Sequence, residues 1–345
     1  MPGIVVIGNT LSAISAIEGI RAGDTTSPIT LFCPEGVLPY DRALLAGFLA
    51  KQVGEQQVHP RHEAFFKEHS VEVVLNEQLS RVSTKRKYVA TQSKRQFSYD
   101  RLLVADLGAV RLPDVKGHNK EGVFDCIQYR SVQALAKYAV LVDNAVVCVS
   151  NFLGLNTACA LSALGKDVSI VGAGGGVLPG ILDEETALLL KQILEGKGLK
   201  VFFDNAVDEV LGDAGVKAVR LASGKVIAAE AVIFDDLKPD TSFFPDGLSA
   251  DGVEIITQPQ VNVHHFGLKV LDGICAGAVR LTGAGQEYMQ FDGPDNVYKK
   301  IFVRDGRIAG FVLFNASFAK EKLLRDLLEG KAVAQTQEQL FSEYF

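Results

Sequence analysis

Two kinds of hydrophobic pattern alternate at the start of the chain. Residues 4–7 are an unbroken run of isoleucine and valine, which predicts a strand buried on both faces. In residues 11–20 the large apolar side chains recur at helical spacing, which predicts a helix with one apolar face. Residues 29–32 predict a second strand parallel to the first. Together these elements predict a βαβ unit, the usual opening of a dinucleotide-binding domain.

The same pattern recurs in the middle of the chain. Residues 145–149 predict a buried strand, residues 157–164 a helix, and residues 168–171 the next strand. A second βαβ unit of this kind is an internal structural repeat. It is the arrangement that an enzyme with two dinucleotides needs.

The segments that follow each unit read as meanders of short strands, and a hairpin and helices come last. Residues 297–302 and 307–314 flank Asp305-Gly306, a dipeptide typical of a type I′ turn. Residues 319–328 predict a helix that ends before Gly330. Residues 335–345 end in an apolar segment, which we expect to dock either on this protein or on a partner.

The turn after the first strand is a candidate phosphate site. In the fingerprint G-x-G-x-x-G, the glycines permit the turn, the approach of a pyrophosphate, and close helix packing. Here these positions hold Gly8, Thr10 and Ala13, and the helix that begins at Leu11 offers its N-terminus to a phosphate. The alternative is a nucleotide-type fold that binds nothing. Glu35, after the second strand, is either a ligand of the adenosine ribose or a solvated turn residue.

Composition limits the classes of function. A chain of 345 residues predicts about two domains, and the net charge of −6 argues against nucleic acid or an anionic membrane as the main partner. No apolar run is long enough for a membrane span and no secretory signal is recognisable, so we expect a cytoplasmic protein. The five cysteines and six histidines show no metal-ligand spacing, and no metal site is predicted.

Several blocks resemble one family of flavoproteins. The most specific is Leu-Pro-Tyr-Asp-Arg-Ala-Leu-Leu at positions 38–45, and weaker ones lie at 99–109, 178–185, 231–241 and 271–279. In this order they resemble the FAD-dependent pyridine nucleotide-disulfide oxidoreductase superfamily. The similarity is greatest to the branch without a redox disulfide, the NADH-dependent ferredoxin, rubredoxin and nitrite reductase flavoproteins.

This resemblance implies a fold and a division of the chain. The fold is α/β, with two three-layer Rossmann-like dinucleotide-binding domains, the second inserted in the first, and a short C-terminal hairpin-helix element. Residues 1–115 and 237–290 would form the FAD-binding-type domain, residues 116–236 the NAD(P)-binding-type domain, and residues 291–345 the C-terminal element.

The resemblance also implies ligand positions, many of which depart from the family pattern. The FAD-binding positions are Gly8, Thr10, Leu11, Ala13, Glu35, Arg42, Gly277 and Ala278. The nicotinamide-nucleotide positions are Asn151, Gly154, Asn156 and Gly172. A serine-lysine pair of the family is Ala46-Gly47 here, and Ala278 replaces an aspartate that bonds the flavin's ribityl chain.

The second site departs further. Val149 and Asn151 stand where two glycines are expected, Gly172 replaces the acidic ribose ligand, and Asn156 replaces a glutamate that faces the nicotinamide. The residues therefore leave FAD binding open and argue against NAD(P)H binding.

Two functions remain. The first is an electron-transfer flavoprotein, or a subunit of a larger electron-transfer complex, that passes electrons between a nicotinamide nucleotide or partner and a redox protein. The alternative is a non-catalytic relative or scaffold subunit that has lost NAD(P)H and possibly FAD. No catalytic residue is assigned, and we expect an FAD-dependent NAD(P)H oxidoreductase-like protein that is inactive alone.

Overall fold

The computed structural model describes residues 3–106, 110–174, 176, 178, 182, 184–236, 238–239, 241–245, 253–255, 274–275, 285–292, 297–314, 316–333 and 336–345. The strands are β1 Gly3–Ile7, β2 Ile29–Phe32, β3 Val71–Val74, β4 Leu79–Ser83, β5 Tyr88–Thr91, β6 Gln96–Val104, β7 Val110–Arg111, β8 Val123–Asp125, β9 Asn144–Cys148, β10 Asp167–Val171, β11 Lys200–Phe202, β12 Val207–Leu211, β13 Ala218–Leu221, β14 Val226–Ala228, β15 Ala231–Phe234, β16 Lys238–Pro239, β17 Val253–Ile255, β18 Ile274–Cys275, β19 Gln286–Asp292, β20 Val297–Arg304 and β21 Arg307–Phe314. The helices are α1 Leu11–Gly23, α2 Leu45–Leu49, α3 Glu55–Val58, α4 Glu63–Glu68, α5 Tyr129–Tyr138, α6 Phe152–Ala163, α7 Glu184–Gly196, α8 Lys320–Leu328 and α9 Gln337–Tyr344.

The chain forms two compact units. Unit 1 comprises Met1–Pro113, Ile127–Gln133 and Leu237–Gln258, and unit 2 comprises Asp114–Cys126, Ala134–Asp236 and Pro259–Phe345. Each unit contains a sheet with neighbouring parallel strands, to which unit 1 adds the antiparallel strands β4 and β5, and the fold is α/β as predicted.

The sheet of unit 1 has the strand order β3-β2-β1-β6-β5-β4, and β17 also pairs with β6. β1 lies between β2 and β6 and is parallel to both. It is buried on both faces, because Val6 and Ile7 are fully covered. The predicted buried strand is therefore confirmed, and its carboxyl end meets that of β6.

Helix α1 connects β1 to β2 and covers one face of this sheet. Ile17 and Ile20 pack in a core cluster with Ile4, Val6 and Leu31. The helix extends the predicted residues 11–20 to Gly23. Burial of this isoleucine face holds the start of the helix next to the end of β1.

Unit 2 repeats the arrangement with the order β11-β10-β9-β15-β8, all parallel. β9 lies between β10 and β15, as β1 lies between β2 and β6. Helix α6 begins at Phe152, earlier than the predicted residue 157. The side-chain oxygen of Asn151 caps it by accepting hydrogen bonds from the backbone N–H groups of Leu153 and Gly154.

The C-terminal part of unit 2 is an antiparallel sheet, β18-β21-β20-β19, with α8 and α9 packed on it. The β20–β21 turn has positive φ at Asp305 (51°) and Gly306 (70°), as the predicted type I′ turn requires. Leu340, Phe341 and Tyr344 of α9 are buried in the core of this part. The apolar end of the chain therefore docks on this protein.

Candidate dinucleotide-binding sites

The turn between β1 and α1 holds a carboxylate of its own chain. The backbone N–H of Asn9 donates to Oδ2 of Asp106 at 2.9 Å, and the Thr10 hydroxyl donates to the same oxygen at 2.7 Å. Gly8 has φ +152°, and a Cβ there would lie 2.9 Å from Asp106 Oδ2. Gly8 therefore allows both the turn and the close approach of Asp106.

The register of the sheet places Asp106 at this turn. Ile7 pairs with Val104, the last residue of β6. The backbone N–H groups of Ala105 and Asp106 then donate to the carbonyl of Ile7, at 2.8 and 3.3 Å. The chain after β6 is thus tied to the end of β1.

A cavity of about 340 Å³ lies beside this turn. It is lined by Thr10, Leu11, Ser12, Tyr40, Asp41, Arg42, Ala43, Ala105 and Asp106. Helix α1 has no acidic residue in its first turn, and Thr10 makes no side-chain capping bond to it. The positive end of the helix dipole therefore borders the cavity, and no carboxylate in the first turn of α1 offsets it.

Arg42 is the cation of this cavity. Its Nη2 lies 3.5 Å from Asp106 Oδ1 and 3.6 Å from Glu35 Oε1. Burial lowers the pKa of Arg42, but the charges of Asp106, Tyr40 and Glu35 outweigh that effect and raise it. Its Nε is buried and has no hydrogen-bond partner among the described residues. An unsatisfied buried donor costs ~1–3 kcal/mol, so an added acceptor at this atom would be favoured.

Glu35 is buried and held by the protein. The Tyr40 hydroxyl donates to its carboxylate at 2.8 Å, and the backbone N–H of Glu35 donates to the side-chain oxygen of Asn9 at 3.1 Å. Burial raises the pKa of Tyr40, which keeps its hydroxyl a donor. Glu35 is therefore not a solvated turn residue, and its bond to a ribose stays a prediction.

The other predicted flavin positions are less informative. Ala13 is fully buried in α1 against the sheet, as close helix packing requires. Gly277 and Ala278 lie outside the described residues. Asn9, which sequence reasoning did not single out, ties this turn to the loop after β2, because its Nδ2 donates to the Val37 carbonyl at 2.6 Å.

The second turn, between β9 and α6, also holds a carboxylate of its own chain. The Ser150 N–H and hydroxyl donate to Asp235 at 2.8 Å, and the Asn151 N–H donates to it at 2.9 Å. Asn151 Nδ2 donates to the backbone carbonyl of Asp235 at 3.0 Å. A Cβ at Gly154 would overlap Oδ2 of Asp235. Gly154 therefore provides space for this carboxylate.

Burial raises the pKa of Asp235 to about 6, although hydrogen bonds from Asn151 and Ser150 oppose the rise. The remaining predicted positions add no ligand for a nucleotide. Gly172 follows β10 and is bonded through its backbone to Phe202 and Asn205. Asn156 is buried in α6.

The two βα turns differ in how well they fit the pyrophosphate of a dinucleotide. The first turn fits a pyrophosphate in volume, in helix polarity and in the orphaned Nε of Arg42, while Asp106 opposes it by charge. The second turn does not fit one, because the Asp235 carboxylate already accepts from its backbone N–H groups and would repel a second anion. Asp106 and Asp235 were not among the predicted site residues. The signal for both is an acidic residue just after the strand that neighbours β1 or β9.

Comparison with known proteins places this geometry in context. The family model for pyridine nucleotide-disulphide oxidoreductase matches residues 2–279. The assimilatory nitrate reductase electron transfer subunit of Bacillus subtilis (strain 168) is 23% identical, over 98% of this chain and 50% of that protein. The rubredoxin-NAD(+) reductase of Ectopseudomonas oleovorans is 25% identical, over 67% of this chain and 60% of that protein.

Among solved structures, the ferredoxin reductase for the CYP199A2 system from Rhodopseudomonas palustris superposes with a TM-score of 0.79 at 17% identity. The alignment covers 98% of this chain and 97% of that one. This likeness shows the fold. The chain spans about half the length of the first curated relatives it matches.

Two further findings concern the described residues. None of the helices that they form is both long and apolar enough to cross a membrane. The same residues include no group of three or more His, Cys, Asp or Glu side chains that could hold a metal ion.

Proposed function

Because the chain belongs to the pyridine nucleotide-disulphide oxidoreductase family, we propose that it is an electron-transfer component that holds FAD in unit 1 and delivers electrons to a redox protein. The names of its relatives support this class of function, since one is an electron transfer subunit and another a rubredoxin-NAD(+) reductase. When bound, FAD supplies the one- and two-electron chemistry of such proteins.

The observation that carries the proposal is the cavity at the N-terminus of α1, with the unpartnered Nε of Arg42. An FAD pyrophosphate there would meet the positive end of α1 and the Nε donor of Arg42. Glu35, beyond the carboxyl end of β2, would accept from the adenosine ribose. The chain's own residues thus bind and orient the cofactor.

Asp106 reduces the affinity of this site. Its carboxylate accepts from Asn9 and Thr10 on the wall of the cavity, where it repels a second anion. Arg42 lies beside it and offsets part of this repulsion. We therefore propose that the site holds FAD less tightly than a turn with a neutral residue at position 106 would.

In this proposal unit 2 does not bind a nicotinamide nucleotide. Asp235 occupies the turn between β9 and α6, and Gly172 offers no carboxylate to a ribose. Electrons therefore come from a partner rather than from NAD(P)H bound to this chain. The electron acceptor is a redox protein, as the name of the rubredoxin-NAD(+) reductase suggests.

Denaturing release of flavin tests the proposal. The protein is purified without added nucleotide, and a second sample is incubated with FAD and desalted before both are heat-denatured. We expect FAD in the supernatant of at least the incubated sample. Absence of flavin from both samples would contradict the proposal and favour the scaffold alternative.

A further inference from the structure

We propose that Asp235 is an internal anion that occupies the second βα turn and closes it to phosphate groups. Ionised, it would take the place of a ligand rather than bind one. Its donors are the backbone N–H groups of Ser150 and Asn151 and the Ser150 hydroxyl. Backbone N–H groups at a turn of this kind are the groups that bind a nucleotide phosphate.

The surroundings of Asp235 match a bound anion. In the part of the chain that the structure describes, its carboxylate contacts no lysine or arginine, so backbone dipoles and one hydroxyl hold it. The carboxylate lies directly against Gly154, where any side chain would overlap it. The absence of a Cβ at position 154 therefore serves this internal contact.

The side chain of Asn151, at the same turn, also forms its hydrogen bonds within the protein. The side chain of Asn151 accepts from the N–H groups of Leu153 and Gly154, and its Nδ2 donates to Asp235. A phosphate would have to break the three hydrogen bonds to the carboxylate and then lie beside it. The phosphate would gain these donors, but the displaced carboxylate would lose them and lie beside a second anion, so the exchange is unfavourable.

The first turn shows what a less complete closure looks like. There Asp106 accepts from one backbone N–H and one hydroxyl, and the Arg42 guanidinium lies near it beside a cavity. Asp235 accepts from the backbone N–H groups of Ser150 and Asn151, and no lysine or arginine of the described residues contacts its carboxylate. The two related turns thus differ in the charge that lies beside the internal carboxylate.

Hydrogen-deuterium exchange of the peptide that covers residues 149–156 tests the proposal, with inorganic pyrophosphate as the probe. This readout is local to unit 2, so pyrophosphate bound elsewhere does not disturb it. The proteins are the wild type, Asp235→Ala and Asp235→Asn, with Asp236→Ala as a control that removes a neighbouring exposed charge.

We expect the peptide to exchange faster in Asp235→Ala than in the wild type, and pyrophosphate to slow it at a concentration at least about tenfold lower. Asp236→Ala should behave as the wild type. If Asp235→Ala does not fold, Asp235→Asn gives the test, because it removes the charge and keeps the side-chain shape. Equal protection by pyrophosphate in wild type and variant, or none in either variant, would overturn the proposal.

Discussion

Replacing Asp235 by asparagine should remove a pH dependence of folding stability that the wild type shows between about pH 4 and pH 6. Burial raises the pKa of this carboxyl from 3.8 to about 6 in the folded protein. In that window the Asp235 carboxyl is ionised in the unfolded chain and stays protonated in the folded chain. A rise in pH therefore favours unfolding, and a shift of this size corresponds to about 3 kcal/mol.

The assay is urea unfolding of the wild type and Asp235→Asn from pH 3.5 to 7.5, with Asp236→Asn as the control. When the free energy of unfolding of the variant is subtracted from that of the wild type at each pH, the contributions of the other titrating groups cancel. We expect the wild type to lose stability relative to Asp235→Asn as the pH rises through this range. The loss relative to Asp236→Asn should be much smaller, because the charge of Asp236 is the least of the causes that shift the pKa of Asp235. A flat difference would refute the reasoning. A difference of opposite slope would mean that the N–H donors of Ser150 and Asn151 and the dipole of α6 outweigh burial.

Three predictions concern cofactors. Asp106→Thr should lower the FAD dissociation constant by about tenfold or more in a fluorescence titration, since it removes a carboxylate beside the pyrophosphate; equal or weaker binding would show that Asp106 does not oppose FAD. Glu35→Ala should raise that constant by about tenfold, because a charge-assisted hydrogen bond contributes ~1.5–3 kcal/mol. Unchanged affinity would mean that Glu35 serves only Tyr40 and Arg42. In a steady-state assay with an artificial acceptor, flavin-loaded protein should oxidise NADH or NADPH at less than ~1 s⁻¹, because Asp235 fills the second turn. Faster turnover would show that this turn still admits the nucleotide.

The elements around both turns could be predicted from local sequence. Residues 4–7 and 145–149 are apolar on both faces, as a strand between two parallel neighbours must be, and they form β1 and β9. The Asp305-Gly306 pair likewise determines its own hairpin, because both residues adopt the positive φ of the turn. These features depend on contacts that are near in sequence or on burial alone.

The occupation of the two turns could not be predicted in the same way. Asp106 and Thr10 are 96 residues apart in the chain. Their side chains meet only because β6 pairs with β1 in one particular register. The contact of Asp235 with Ser150 depends in the same way on the pairing of β15 with β9. The position of each carboxylate therefore needed the three-dimensional structure.

The central claim is that unit 1 holds FAD through Arg42. Calorimetric titration of FAD into flavin-free wild type, Arg42→Gln and Arg61→Gln tests it most directly. Arg61 is a matched control, because it lies in the same unit and pairs with Glu18 at 3.0 Å on the surface. We predict that FAD binds the wild type and Arg61→Gln equally and binds Arg42→Gln at least ~10-fold more weakly, through loss of a charge-assisted hydrogen bond. No binding to the wild type, or equal affinity for all three proteins, would contradict the claim.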